Sequence, residues 1–244
     1  GYNGALIKAL ATAEVFDPAA EQWVNAGKMA QARVSQSVTN LAQISLATDN
    51  VFRDDAAVRQ LATWRHALPG GNRLLMSVNV SPRQLRDPEF VLQVQRSLDR
   101  HDVPASRLVL EVTESLLMSD VDLNTEKLRA VRALGIGIAI DDFGTGYSSL
   151  SYLRRFPVDV LKIDRSFVGD LGRDADANAL VRAIASMARA LKLTVVAEGI
   201  ETPEQAAHLG ALELELGQGW LFGRPQPIER FAEQQFGDGA QAAA

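Results

Sequence analysis

Apolar residues in this chain fall into short continuous runs, separated by longer stretches in which they recur every three or four positions. The continuous runs predict strands over 74–80, 107–114, 136–141, 158–164, 194–198 and 214–216. Helical spacing of Val58, Leu61, Trp64 and Leu68 predicts a helix opened by Asp54 or Asp55 and ended at Pro69-Gly70-Gly71. Further helices are predicted over 88–99, 123–134, 148–154, 175–192 and 228–236. In the 175–192 helix, Leu180, Ile184, Met187 and Leu191 form the expected apolar side. Thr202-Pro203-Glu204-Gln205 reads as a capping box with proline at the first helical position, which opens one more helix. Six strands alternating with helices predict a parallel α/β sheet, and unbroken apolar strands predict that both its faces are covered.

The first fifty residues lack this order. From Glu21 to Thr48 the chain is rich in Ala, Gln and Val without a clean period, and helix is the favoured reading. The expected organisation is therefore a divergent segment over 1–50, irregular or contributing to barrel closure. A barrel over 51–236 and an Ala-rich tail over 237–244 without core partners follow it.

Composition narrows the function classes. A chain of 244 residues suits one α/β barrel as well as two smaller domains. No apolar run approaches the roughly 18 residues of a membrane span, and no secretory leader is visible at the start. With no cysteine there is neither disulfide nor thiolate metal site, which suits a cytoplasmic protein. The formal charge of −5 argues against a DNA or RNA polymer as partner. A phosphate ester remains possible if metal ions supply positive charge locally.

The chemistry sits where the strands end. Asn79, Glu111, Asp141, Lys162 with Asp164, Glu198 and Gln218 each close a predicted strand. In a barrel these ends converge on one mouth, whereas an open sheet strings them along an edge, so the recurrence favours a barrel. Asp141 and Asp142 are adjacent, and neighbouring strand residues point to opposite faces unless the pleat breaks. Two carboxylates that close raise each other's pKa unless a cation lies between them, which points to a divalent metal site. The bland alternative is a strand-capping Asp before a glycine turn. Other plain readings stand beside these: a turn former at Asn79, a surface charge or helix cap at Glu114 and Glu201, a backbone hydrogen-bonder at Gln218. His66, His101 and His208 share no spacing and read as surface residues.

Six segments together carry a family resemblance: Ser77-Val78-Asn79-Val80-Ser81-Pro82-Arg83-Gln84, Leu110-Glu111-Val112-Thr113-Glu114-Ser115, the run from Asp141 to Leu150, Leu161-Lys162-Ile163-Asp164-Arg165-Ser166-Phe167, Ala197-Glu198-Gly199-Ile200-Glu201-Thr202, and Gly217-Gln218-Gly219-Trp220-Leu221-Phe222. In this order they resemble the EAL family of cyclic di-GMP phosphodiesterases, from about Val51 to Phe231. The resemblance implies a modified TIM-type (β/α)8 barrel, its first two strands not placed by the pattern. It implies hydrolysis of cyclic di-GMP to linear pGpG with a two-ion Mg²⁺ or Mn²⁺ site, and a homodimer. By the same resemblance Asn79, Glu111, Asp141 and Asp142 are metal ligands. Glu198 is the base or a second-metal ligand, and Lys162 orients the attacking water. Glu114 holds the loop after Asp142, and Gln84, Asp164, Glu201 and Gln218 are substrate-binding or supporting residues.

One departure is plain. The Glu-Ala-Leu motif that names the family, whose glutamate is a metal ligand, does not occur before Asn79. Gly4-Ala5-Leu6, Lys8-Ala9-Leu10 and Ala13-Glu14-Val15 are local echoes, and Glu21 lies near the expected distance. The expectation is an enzyme in which Glu14, Glu21 or water takes that position. The alternative is a catalytically silent cyclic di-GMP receptor of the same fold.

Overall fold

A computed structural model describes residues 8–9, 11–17, 22–24, 41–45, 56–67, 71–145, 153–214 and 216–223. Its strands are β1 (Lys8–Ala9), β2 (Ala11–Asp17), β3 (Gln22–Val24), β4 (Leu41–Ser45), β5 (Leu75–Asn79), β6 (Leu108–Thr113), β7 (Gly137–Phe143), β8 (Val160–Ile163), β9 (Thr194–Ala197) and β10 (Leu216–Gly217). The helices are α1 (Ala56–Ala67), α2 (Pro82–Arg86), α3 (Phe90–Arg100), α4 (Glu114–Ser119), α5 (Val121–Ala133), α6 (Arg165–Gly169), α7 (Ala175–Ala190) and α8 (Pro203–Ala211).

Neighbouring strands run β1-β10-β9-β8-β7-β6-β5-β4-β2-β3, all parallel except the β2–β3 hairpin. Lys8 pairs with Leu216 on one side, and Ala11 to Glu14 pair with Ala42 to Ser45 on the other. Only one residue separates β1 from β2, so neighbouring stretches of chain pair with β10 on one side and β4 on the other, and the sheet curls onto itself as a barrel. Closure of this kind removes the unpaired edges that an open parallel sheet would leave.

Each of the six predicted strands is present, and the inner strands are buried along nearly their whole length, as a sheet covered on both faces requires. Helical stripes cover them: Val58, Leu61 and Trp64 from α1, Val94 and Leu98 from α3, Leu128 and Val131 from α5. Of the predicted α7 stripe, Ile184, Met187 and Leu191 pack on the core and Leu180 does not. Leu180 stands 42% exposed, while Val181, Ile184, Ala185 and Ala188 face the core. Alanines on that side let the helix lie close to β8 and β9, which outweighs the larger side chain of Leu180.

Between 21 and 48 the favoured helix is replaced, in the described residues, by β3 and β4. Pairing beside β5 supplies what local propensity does not, since short strands take their stability from neighbours. Asp54, Asp55, Leu68 and the predicted helices over 148–154 and 228–236 lie wholly or mostly outside the described residues, as do Glu21 and the 237–244 tail.

Candidate functional site at the barrel mouth

Parallel strands in register bring the predicted residues to one rim. Asn79 ends β5 directly opposite Glu111 in β6, and Thr113 is opposite Asp141 in β7. Beyond the strand ends the ladder continues: Val80 N donates to Glu111 O, Glu198 N to Ile163 O, and Gln218 N to Ala197 O. These bonds carry Glu198 and Gln218 onto the same rim, each one residue past the regular end of its strand.

Lys162, midway in β8, is the centre of the cluster. Its ammonium lies 2.9 Å from Glu111 Oε2, 2.9 Å from Asp141 Oδ1 and 2.7 Å from Glu198 Oε1. Lys162 and Glu111 are almost wholly buried, and Asp141 and Glu198 nearly so. Burial alone would lower the ammonium's pKa, but Glu111, Glu198 and Asp141 outweigh it and raise it well above the usual value. Burial pushes the Glu198 carboxyl up to about 7 even against the pull of Lys162, and Asp141 adds to the rise. Glu111 is raised by burial in the same way, with Lys162 opposing. One cation thus faces three carboxylates, a net negative centre that disfavours full ionisation without further positive charge.

Asp141 and Asp142 share this site through a β-bulge. The β7–β8 register steps from Ile140 opposite Leu161 to Phe143 opposite Ile163, so the two aspartates stand against the single residue Lys162. Asp142 takes a left-handed backbone with φ 54°. The strand therefore runs on through Phe143, and the bulge rather than a strand end turns both carboxylates inward. One oxygen each of Asp141, Asp142 and Glu198 lies within 4.8 Å of the others. Burial, then Asp141 and Asp164, raise the Asp142 carboxyl.

After the bulge, Asp142 O accepts from Thr145 N at 3.4 Å and from Thr145 Oγ1 at 2.9 Å, closing a tight turn. Glu114 reaches across from the start of α4, and its Oε2 accepts from Gly144 N at 3.0 Å. A pocket of about 390 Å³ opens beside the cluster, walled by Asp142, Asp164, Glu198, Glu201 and Gln218. Gln218 Oε1 is buried there with no partner among the described residues. Asp164 also caps α6 by accepting from Ser166 N. Gln84 is elsewhere: its Oε1 accepts from Ser81 N in the capping box of α2, and it is not among the pocket's lining residues. Glu14 lies in β2 with its Cα opposite Ser45.

Sequence reasoning passed over Arg165, Gly199, Gly219 and Trp220 as site residues, although all four line this pocket. Gly199, at φ 70°, lies so close that a Cβ there would sit 2.4 Å from Arg165 Cβ. Nothing in the local pattern signals an approach between residues this far apart in the chain.

The donor set fits a divalent metal. Asp141, Asp142, Glu198, Glu111 and Asn79 offer only oxygen ligands from side chains, which hard ions such as Mg²⁺ and Mn²⁺ take. Such an ion would supply positive charge beside the clustered carboxylates.

A parallel barrel whose mouth gathers carboxylates round one buried lysine is a scaffold able to hold a divalent ion. The sequence model of the EAL domain matches residues 11–225, and the chain belongs to that family. It is 46% identical over 177 residues to the bifunctional diguanylate cyclase/cyclic di-GMP phosphodiesterase MucR of Pseudomonas aeruginosa, covering 72% of this chain and 25% of that protein. Among solved structures, the PaMucR phosphodiesterase in complex with c-di-GMP superposes with TM-score 0.69 at 45% identity, covering 72% of this chain and 70% of that one. The manganese/cy-diGMP complex of Klebsiella pneumoniae BlrP1 superposes with TM-score 0.64 at 33% identity, covering 74% of this chain and 46% of the other. The chain spans a quarter or less of the length of the first curated relatives it matches, at 25%, 19% and 21%.

Proposed function

We propose that this chain is a signalling phosphodiesterase that hydrolyses cyclic di-GMP to linear pGpG with Mg²⁺ or Mn²⁺. The observation that carries the reading is the contact of Lys162 with Glu111, Asp141 and Glu198 at the rim of a pocket large enough for a nucleotide's phosphate and sugar. MucR, whose name includes this activity, is the relative from which the substrate is transferred.

Asn79, Glu111, Asp141 and Asp142 would hold the metal, which supplies charge that makes a bound water more acidic and offsets that of the phosphodiester. Glu198 Oε1 is taken by Lys162, so Oε2 is the oxygen left to accept the proton of the attacking water. A carboxyl titrating near 7 is matched to that transfer. The water oxygen forms the new bond to phosphorus, the ester bond to O3′ breaks, and the leaving O3′ takes a proton from solvent. Lys162 keeps the three carboxylates in place and holds Glu198 in the ionised form the transfer needs. Asp164, Glu201 and Gln218 would position the nucleotide, and the homodimer is part of the same proposal.

Incubating the purified protein with cyclic di-GMP and Mn²⁺ should release pGpG, and a Glu198→Gln variant should release about 100-fold less. Equal, negligible release from both would remove the enzymatic reading. The absence of a Glu-Ala-Leu glutamate favours the second reading, a silent receptor that binds cyclic di-GMP without cleaving it. Calorimetry distinguishes the two: a receptor binds the nucleotide and releases no pGpG.

A further inference from the structure

Asp142 is a proposed metal ligand in a backbone conformation that side-chain-bearing residues seldom hold, with φ 54°. Such a residue persists only where its surroundings over-determine it. Two contacts converge on the residue two positions further on. Glu114 Oε2 takes the amide of Gly144 at 3.0 Å, and Gly144 itself has φ 101°. On the Cα side the ring of Phe167 closes in: a Cβ at Gly144 would lie 2.7 Å from one ring carbon and 3.0 Å from another. Gly144 is therefore pinched between a hydrogen-bond acceptor from α4 and an aromatic face from α6.

Phe167 is anchored from below. It packs against the hydrophobic core, and the next residue, Val168, is fully buried. Its amide donates to Asp164 O at 3.1 Å, so the ring rides on a helix whose first residues, Asp164 and Arg165, wall the pocket beside Asp142.

We infer that Phe167 is a positioning residue for the Asp142 carboxylate: its ring fixes Gly144, the tight turn over 142–145 fixes the bulge, and the bulge aims Asp142 at the metal. The inference rests on the proposed metal site and concerns this chain's own packing toward it. Phe167 does not line the pocket. Its removal acts on the ion that Asp142 binds, and leaves the Lys162 cluster in place.

The test is Mn²⁺ binding to the whole chain, by calorimetry and by the Mn²⁺ spin-resonance signal, in wild type, Phe167→Ala and Phe167→Leu, with circular dichroism as the check on folding. Phe167→Ala should weaken the Asp142-dependent ion by about 10-fold or more, the range for supporting residues of metal sites, while a second ion binds as in wild type. Phe167→Leu, which keeps apolar bulk, should recover part of the loss. With saturating substrate and Mn²⁺ limiting, kcat should fall in the same order while KM for cyclic di-GMP stays within about twofold. A folded Phe167→Ala that binds Mn²⁺ like wild type overturns the inference and leaves the proposed function standing. If Phe167→Ala does not fold, an unchanged isotherm in Phe167→Leu overturns it equally. Wild-type protein that takes up no Mn²⁺ removes the proposed function, and the inference with it.

Discussion

At the scale of single residues, Lys162 decides most. A lysine buried to 3% exposure is tolerated only because three carboxylates surround it, and they in turn are tolerated because of it. Replacing it with methionine leaves Glu111 buried without its cation, a change that costs about 3–5 kcal/mol in comparable buried pairs. Lys162→Met should therefore lower the urea midpoint more at pH 8 than at pH 5.5, because protonation relieves the stranded carboxyls. An equal loss at both values would contradict this account of the cluster. In chelator-treated wild type, the sign of the pH dependence follows from Glu198. Its folded-state pKa of about 7 lies above the usual carboxyl range, so the stability it contributes is complete below that range and is lost as pH rises through 7. The raised Glu111 carboxyl acts in the same direction. The melting temperature should fall between pH 5 and 7.5, and Glu198→Gln should flatten the slope. The chemistry-bearing residues Glu111, Asp141, Lys162 and Glu198 were legible because each is a charged side chain in or next to an apolar run. Arg165 and Trp220 were not, since a residue just past a strand end declares nothing about which neighbour it meets.

Among the elements, long strands and helices announced themselves and the short helices did not. α2, α4 and α6 each follow a strand and open at Ser81, Thr113 and Asp164, whose side chains accept from backbone amides. At five or six residues they are too short for an apolar period, so only their caps could have shown them. In α7 Leu180 alone was misplaced, because Leu180 and Val181 are both apolar and packing distance chose between them. The bulge in β7 was half legible. Two adjacent aspartates required a break in the pleat, and the two-for-one register supplies it. Loops between elements are held just as tightly: Gly199 has φ 70° and its Cα faces Arg165. Gly199→Ala should destabilise the protein by about 1–3 kcal/mol, from the disfavoured backbone region together with the clash. It should also weaken nucleotide binding by shifting the pocket wall. A variant as stable as wild type would show that this approach relaxes freely.

For the whole molecule, closure depends on a stretch whose sequence hid its role. β1 and β2 bridge β10 and β4, yet their partners in those two strands lie about thirty residues or more away and no local signal names them. Ala13, opposite Ile44, is a test point: Ala13→Pro removes a ladder donor and should lower the melting temperature by about 4 °C or more. No change would mean that the barrel is stable without this strand. The same segment carries Glu14, one of the residues expected at the position of the missing motif glutamate. The central claim is that the carboxylates gathered round Lys162 hold divalent ions that make this barrel a phosphodiesterase. Product analysis by chromatography, with cyclic di-GMP and Mn²⁺ supplied to wild type and to an Asp141→Asn variant, tests it most directly. The account predicts linear pGpG from wild type, none without metal, and about 100-fold less from the variant. Intact cyclic di-GMP after prolonged incubation of wild type with Mn²⁺ would contradict it.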